Sequence, residues 1–272
     1  MPESITIPSA NGELAASLWP VANPQGIVLI HPATAVTQAF YEHFARYLSN
    51  LGFAVLTYDY RGTGRSRGAR LQIETVTMTG WMTGDVPAVT RWAAARWPNV
   101  PLLAVGHSVG GHALLLTGAD TPVRAAVLVA CHAGITRTIR GRAERMRVWL
   151  VMRVLAPLLC RVFGYMPGAR IGLGEDLPRG VMLEWSRWTT LPRYFYDDPT
   201  LDAARRTAAL RTPLLALGFD DDPRANPHAM DILLAGASAA PIARRQIAPR
   251  DAGLPGIGHM GFFPQAFAGA LA

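Results

Sequence analysis

Three residue types, arranged in one order along the chain, have the chemistry to cleave an acyl bond. A short apolar run, Leu102–Val105, enters Gly106-His107-Ser108-Val109-Gly110, and an apolar, helix-like run leaves it. That is G-x-S-x-G between a strand and a helix, the setting of a nucleophile elbow. The turn is so tight that its central residue takes a strained backbone conformation. Side chains on its neighbours would clash, which accounts for glycine on both sides. Serine alone is a poor nucleophile at neutral pH. A histidine must take its proton, and a carboxylate must fix the imidazole tautomer and stabilise the cation. Both partners lie downstream. A buried strand, Thr212–Phe219, runs into Asp220-Asp221-Asp222-Pro223. A last short strand, Pro241–Ala248, precedes Gly256-Ile257-Gly258-His259-Met260-Gly261. Each residue has a bland alternative: a turn serine, a solvated acidic loop, a loop-capping histidine. The three alternatives would have to hold together, in the order Ser, Asp, His.

The elements that must position these residues can be read from periodicity. Asn11-Gly12 between Ser4–Ile7 and Glu13–Trp19 signals a hairpin. Gly26–Ile30 is a buried strand ending at His31-Pro32. Phe40–Leu51 puts Phe40, Phe44, Tyr47, Leu48 and Leu51 on one helical face. Strand Phe53–Tyr58, helix Trp81–Trp97 and strand Ala125–Ala130 continue the alternation. This predicts a mostly parallel sheet with helices on both faces. From about residue 131 to 211 no buried strand is predicted, and alternation resumes at Pro213. Residues 132–205 therefore read as a helical cap over the carboxyl ends of the strands, where such sheets bind ligands. Residues 1–131 and 206–272 read as the core domain. The closing helix, Pro264–Ala272, is predicted to be short.

Composition narrows the classes. The chain has 272 residues, half of them apolar, enough for one large α/β domain. Its charge is +7, but every basic residue is arginine, as a GC-rich coding bias would produce, and the arginines are spread along the chain. A nucleic-acid partner is therefore not expected. Gly62-x-Gly64 follows a strand, yet its spacing to Gly68 misses the dinucleotide fingerprint by one. Cys131 and Cys160 are too few for a disulfide framework and sit in apolar stretches, as small buried residues do. The first residues, MPESITIPSANGEL, lack the pattern of a signal peptide. Val148–Met166 is interrupted by Arg153, Pro157 and Arg161, so it falls short of a transmembrane helix. A cytoplasmic location without stable membrane insertion is the expectation.

With these features the chain resembles the α/β-hydrolase superfamily over nearly its whole length. The resemblance rests on His31-Pro32, on Asp59-Tyr60-Arg61-Gly62-Thr63-Gly64-Arg65-Ser66, on Gly106–Gly110, on the late acid and on Gly258-His259. The D-x-R-G-x-G-x-S segment is similar to the serine-aminopeptidase-like and monoacylglycerol-lipase-like branch. Residues 163–185 resemble the cap of a group of bacterial α/β hydrolases. The resemblance implies an α/β-hydrolase fold, with an eight-stranded, mostly parallel sheet and an inserted cap, and a triad of Ser108, Asp222 and His259. It does not imply a substrate. Three departures stand out. The branch reads His-Gly where this chain has His31-Pro32. Proline has no N–H, so the oxyanion donor moves on, to Ala33 first and Thr34 next, joined by the N–H of Val109. Among the aspartates, aligning on Asp-Pro favours Asp222 and counting from Gly218 favours Asp221; Asp222 is preferred. Thirteen residues follow His259, so the C-terminus reads as truncated relative to the branch.

The implied activity is hydrolysis of a carboxylic ester, thioester or amide through an acyl-enzyme, needing no metal or organic cofactor. The partner would be a small, apolar acyl substrate. In the cap, Met146, Trp149, Leu150, Met152, Leu155, Leu158, Leu159 and Phe163 line either an acyl tunnel or the core between cap and body. Trp185, Trp188, Tyr194, Phe195 and Tyr196 have the composition of an aromatic rim. Glu175, Asp176 and Glu184 either bind a substrate amine or pair with arginines. The Arg137–Arg147 cluster meets an anion or is a solvated face. Acyl transfer by the same triad, and a non-catalytic binding protein on a hydrolase scaffold, are the rival readings.

Overall fold

Short apolar runs build the sheet because both of its faces are covered. The computed structural model describes residues 2–10 and 12–264. Its strands are β1 (Glu3–Ser9), β2 (Gly12–Trp19), β3 (Ile27–His31), β4 (Ala54–Tyr58), β5 (Leu102–His107) and β6 (Val123–Val129). These are followed by β7 (Tyr165–Met166), β8 (Leu177–Pro178), β9 (Leu214–Phe219) and β10 (Ile242–Ile247). Eight of them form one sheet in the order β1-β2-β4-β3-β5-β6-β9-β10. The pairs β1–β2 and β2–β4 are antiparallel; from β4 to β10 neighbours are parallel. All five residues of β3 are buried. Ile27 and Leu29 join one core with Ala104, Trp81 and Leu115, while Val28 and Ile30 join the other with Val105, Phe219 and Phe263. Alternation thus sorts the residues between two apolar layers, and the run reads as continuously hydrophobic.

The chain passes from β3 to β4 on one side and then returns across β3 to β5. Strand order reverses between β3 and β5, and the crevice outside their carboxyl ends opens there. The α-helices before the insert are α1 (Glu42–Asn50), then α2 (Met78–Gly80) and α3 (Val86–Arg96) joined by a π-helical turn at Trp81–Asp85, and α4 (Val109–Thr117). The helix expected from Trp81 begins one turn earlier, because the Thr77 hydroxyl accepts the Gly80 N–H at 3.0 Å and caps it.

Between β6 and β9 the chain leaves the sheet. This insert contains α5 (Arg142–Leu150), a π-helical turn at Val151–Leu155, α6 (Ala156–Phe163), α7 (Arg179–Trp188) and α8 (Ala203–Ala208); α9 (Pro227–Leu234) follows β9. The expectation of no buried strand here needs correcting: β7 and β8 are buried and pair antiparallel. At two residues each they are too short to leave a period-two pattern. Asn11, within the predicted hairpin, and residues 265–272 of the predicted closing helix lie outside the described residues.

The D-x-R-G-x-G-x-S segment is a clasp at the exit of β4. The buried Asp59 carboxylate accepts the N–H groups of Gln38 and Arg65 and the Gln38 side-chain amide. Ser66 donates to the Asp59 carbonyl and accepts the Ala15 N–H. Arg61 pairs with buried Asp85. Gly64 is left-handed at φ +45°, and a Cβ there would stand 2.5 Å from the Asp59 carboxylate. The side chains of Asp59, Arg61 and Ser66 are thereby spent on holding the loop.

Candidate active site

The elbow forms as its glycines predict. Ser108 sits between β5 and α4 at φ +50° and ψ −112°, a conformation L-residues rarely hold. A Cβ on Gly110 would meet the His31 carbonyl oxygen at 2.2 Å, and one on Gly106 would meet the Gly111 nitrogen at 2.5 Å. The Ser108 N–H donates to Val129 O at 3.0 Å, and its carbonyl accepts from Gly111 and His112. The turn is therefore bonded to the neighbouring strand and to the helix it starts. The Val109 N–H has no partner among the described residues.

Asp222 and His259 meet directly. The Asp222 carboxylate is fully buried and accepts His259 Nδ1–H at 2.7 Å and the Arg224 N–H at 2.8 Å. Burial pushes its pKa up. The His259 hydrogen bond, the charges of His259 and His132 and the Arg224 N–H together outweigh burial and hold it below the usual carboxylate range. An ionised carboxylate only accepts, so the His259 proton sits on Nδ1 and Nε2 keeps its lone pair. Asp221 does different work. Its two oxygens accept the N–H groups of Ile257 and Gly258 at 2.8 and 2.9 Å, gripping the loop that carries the ring.

A second buried chain of hydrogen bonds ties the elbow to that loop. Ala33 N–H donates to Tyr41 Oη at 2.8 Å, Tyr41 Oη lies 2.9 Å from His107 Nδ1, and His107 Nε2 lies 3.0 Å from the His259 carbonyl. A carbonyl accepts only, so His107 carries its proton on Nε2 and accepts a hydrogen bond from the Tyr41 hydroxyl at Nδ1. Burial, reinforced by the charge of His259, pushes the His107 pKa down to about 3 and keeps the ring neutral. The His107 and His259 rings are 5.5 Å apart, which sets His259 beside the residue preceding Ser108. No hydrogen bond joins Ser108 to His259 in this ligand-free geometry, where such bonds are commonly loose.

The structure also corrects the oxyanion expectation. The Ala33 N–H is already given to Tyr41 inside the core. Thr34, the next candidate, is partly exposed, and its N–H has no partner among the described residues.

His132 joins the site without belonging to any of its sequence motifs. It lies three residues past Val129, the end of β6, and its ring stands edge-on to His259 at 5.5 Å. Its Nδ1–H donates to the Ala133 carbonyl at 3.1 Å, leaving Nε2 as an acceptor. Burial first, then the charge of His259, pushes its pKa down to about 4. Its own carbonyl accepts His112 Nε2–H at 2.9 Å. A histidine just past the carboxyl end of a central strand was the signal available in the sequence.

The insert departs from its expectations. Met146, Trp149, Leu150, Leu158 and Phe163 are exposed, so they line neither a tunnel nor the core; of that set Met152 is buried. Trp188, Tyr194 and Phe195 are buried against each other and against His112, forming a small core and not a rim. Arg67 pairs with Asp176 at 3.1 Å and with Glu175 at 3.9 Å, and Glu184 accepts the Thr79 N–H and hydroxyl. These acids are spent fastening the insert to the body.

Set against known proteins, the sequence pattern of the family described as serine aminopeptidase, S33, matches residues 22–240. Over 106 residues the chain is 30% identical to the monoacylglycerol lipase of Mycolicibacterium smegmatis, covering 39% of this chain and 37% of that one. Over 116 residues it is 28% identical to the monoglyceride lipase of Homo sapiens, covering 42% and 37%. The match thus spans under two fifths of these relatives' length. A solved structure of a soluble variant of monoglyceride lipase from Saccharomyces cerevisiae, bound to a substrate analog, superposes with a TM-score of 0.66 at 15% identity. It covers 91% of this chain and 86% of that one. That likeness shows the α/β-hydrolase fold.

Proposed function

The chain belongs to the serine aminopeptidase S33 family of α/β hydrolases, and from that premise we propose that it is a serine hydrolase of monoacylglycerol-like carboxylic esters. The observations that carry the reading are Ser108 held at φ +50° on the elbow and a buried, ionised Asp222 bonded to His259 Nδ1. In the mechanism, His259 Nε2 takes the Ser108 proton as Oγ attacks the ester carbonyl. Asp222 stabilises the imidazolium so formed. The Val109 N–H and, in place of Ala33, the Thr34 N–H receive the oxyanion; losing one such donor costs roughly 3–4 kcal/mol. His259 then protonates the leaving alcohol, and water, activated by the same ring, releases the acid. Neutral His132, with Nε2 as an acceptor, receives a hydroxyl of the leaving group. Residues 132–205 act as the cap over this site. The ester specificity is taken from the named relatives.

The test is a fluorophosphonate probe together with a p-nitrophenyl ester series from acetate to palmitate and a monoacylglycerol, run beside Ser108→Ala. Labelling and turnover of the parent, both lost in the variant, are expected. Either signal surviving Ser108→Ala overturns the assignment.

A further inference from the structure

The insert carries an apolar surface that the active site does not use. Among the described residues, seven of the eleven exposed large hydrophobic side chains fall between Arg142 and Phe163. Five of them, Met146, Leu150, Val154, Leu158 and Val162, recur every fourth residue, and each is 42–65% exposed. In an unbroken α-helix a four-residue spacing drifts by about 40° per step and would carry such a row around the helix. The π-helical turn at Val151–Leu155 takes in one extra residue midway and sets the row back, so it stays on one side for about 24 Å. The opposite row, Val148, Met152, Ala156 and Cys160, packs into the core. This stretch is apolar on both faces, with its outer face uncovered.

The flanks say what covers it. Residues 132–163 hold seven arginines and one acid, Glu144. Glu144 is taken by Arg147 and Arg224, while Arg142, Arg145, Arg153 and Arg161 have no carboxylate partner among the described residues. A groove of about 770 Å³ beside the row is lined by Arg137, Arg142, Arg145, Arg153, Met146 and Trp149, among others. No triad residue lines it. Trp149 is half exposed, as an indole at a lipid–water boundary is. Two copies set face to face would oppose arginine to arginine, so the complement is an anionic surface with an apolar layer beneath it.

We propose that α5–α6 docks the protein on anionic lipid bilayers, the arginines meeting phosphates and the row Met146–Val162 entering the interfacial layer. The helix lies on the membrane; none among the described residues is long and apolar enough to cross one. The inference does not depend on the chemistry of Ser108.

The test is flotation of the purified full chain with vesicles of phosphatidylcholine alone and of phosphatidylcholine mixed with phosphatidylglycerol. Binding is expected to the mixed vesicles only and to weaken as salt is raised. Arg153→Glu with Arg161→Glu should lower partitioning by on the order of 30-fold or more, at roughly fivefold per arginine lost. Leu150→Ser with Leu158→Ser should lower it with thermal unfolding unchanged, because both side chains are exposed. Equal binding to both vesicle types, or none to either, overturns the proposal. So does a dimer detected by light scattering that the Leu150→Ser, Leu158→Ser pair abolishes, since the face would then belong to a second copy. Every readout is independent of ester turnover.

Discussion

Asp221 and Asp222 are adjacent and chemically identical, yet the structure assigns them separate tasks, and amide substitution should separate them. Asp222→Asn preserves shape and still offers an oxygen to the Arg224 N–H, now 2.8 Å from Oδ1. Its amide N–H would face His259 Nδ1, which now lies 2.7 Å from Oδ2. The ring proton must then move to Nε2, the atom that accepts the Ser108 proton in the proposed mechanism. A tautomer error of this kind costs about 10⁴ in kcat, roughly 5.4 kcal/mol of barrier. Asp221→Asn leaves the tautomer alone. It weakens one of the bonds to the Ile257 and Gly258 N–H groups, now 2.8 and 2.9 Å from the two oxygens, and breaks the other, because the amide NH2 cannot accept, and so loosens the loop. One weakened bond and one N–H left without an acceptor cost about 1–3 kcal/mol, and kcat/KM should fall roughly tenfold. The two variants should thus differ by about three orders of magnitude in p-nitrophenyl ester turnover, with fluorophosphonate labelling rates in the same order. Thermal unfolding of each variant checks that both are folded. An Asp221→Asn variant as damaged as Asp222→Asn, or an Asp222→Asn variant within about tenfold of the parent, would refute the division of labour.

Three further outcomes are expected. His31, His107 and His112 are buried, and burial holds each pKa down at about 3. The unfolded chain takes up those protons near pH 6.5, so stability is full above that pH and falls as pH drops toward 3. At about pH 5.5 the loss is on the order of 4 kcal/mol for the three together; denaturant unfolding between neutral pH and about pH 5 measures it, and a flat profile contradicts it. Gly110→Ala drives a Cβ against the His31 carbonyl, 2.2 Å away, and should cost roughly 2–3 kcal/mol or more together with fluorophosphonate labelling; a stable, reactive variant would contradict the elbow geometry. Tyr41→Phe leaves the Ala33 N–H and His107 Nδ1 without partners and should cost about 1–3 kcal/mol for each. Its kcat should stay within a few-fold of the parent if Thr34 is the oxyanion donor; a rise would return that role to the freed Ala33 N–H.

What the sequence alone determined is local or strictly ordered. The glycines around Ser108 are dictated by contacts within a few residues of the turn and with the strand beside it, so G-x-S-x-G between two apolar runs announces the strained serine. The parallel sheet follows from the alternation of elements, and β3 reads as a strand because both faces of the sheet are covered. Aligning on Asp-Pro favours Asp222, and Asp222 is the aspartate whose carboxylate is bonded to His259 Nδ1. Other features depend on atoms far apart in the chain. Whether the Ala33 N–H is free depends on where Tyr41 places its hydroxyl, and that hydroxyl is oriented by His107, 66 residues further on. His132 enters the site only because β6 ends beside the His259 loop. The insert misled for a related reason. An apolar stripe is the same in sequence for a tunnel, a core or a face left uncovered by the rest of the chain. Only tertiary packing, which buries Met152, Ala156 and Cys160 and leaves Met146 to Val162 outside, decides between them. Sequence spacing encodes direction along one element, whereas burial is a property of what the rest of the chain brings to it.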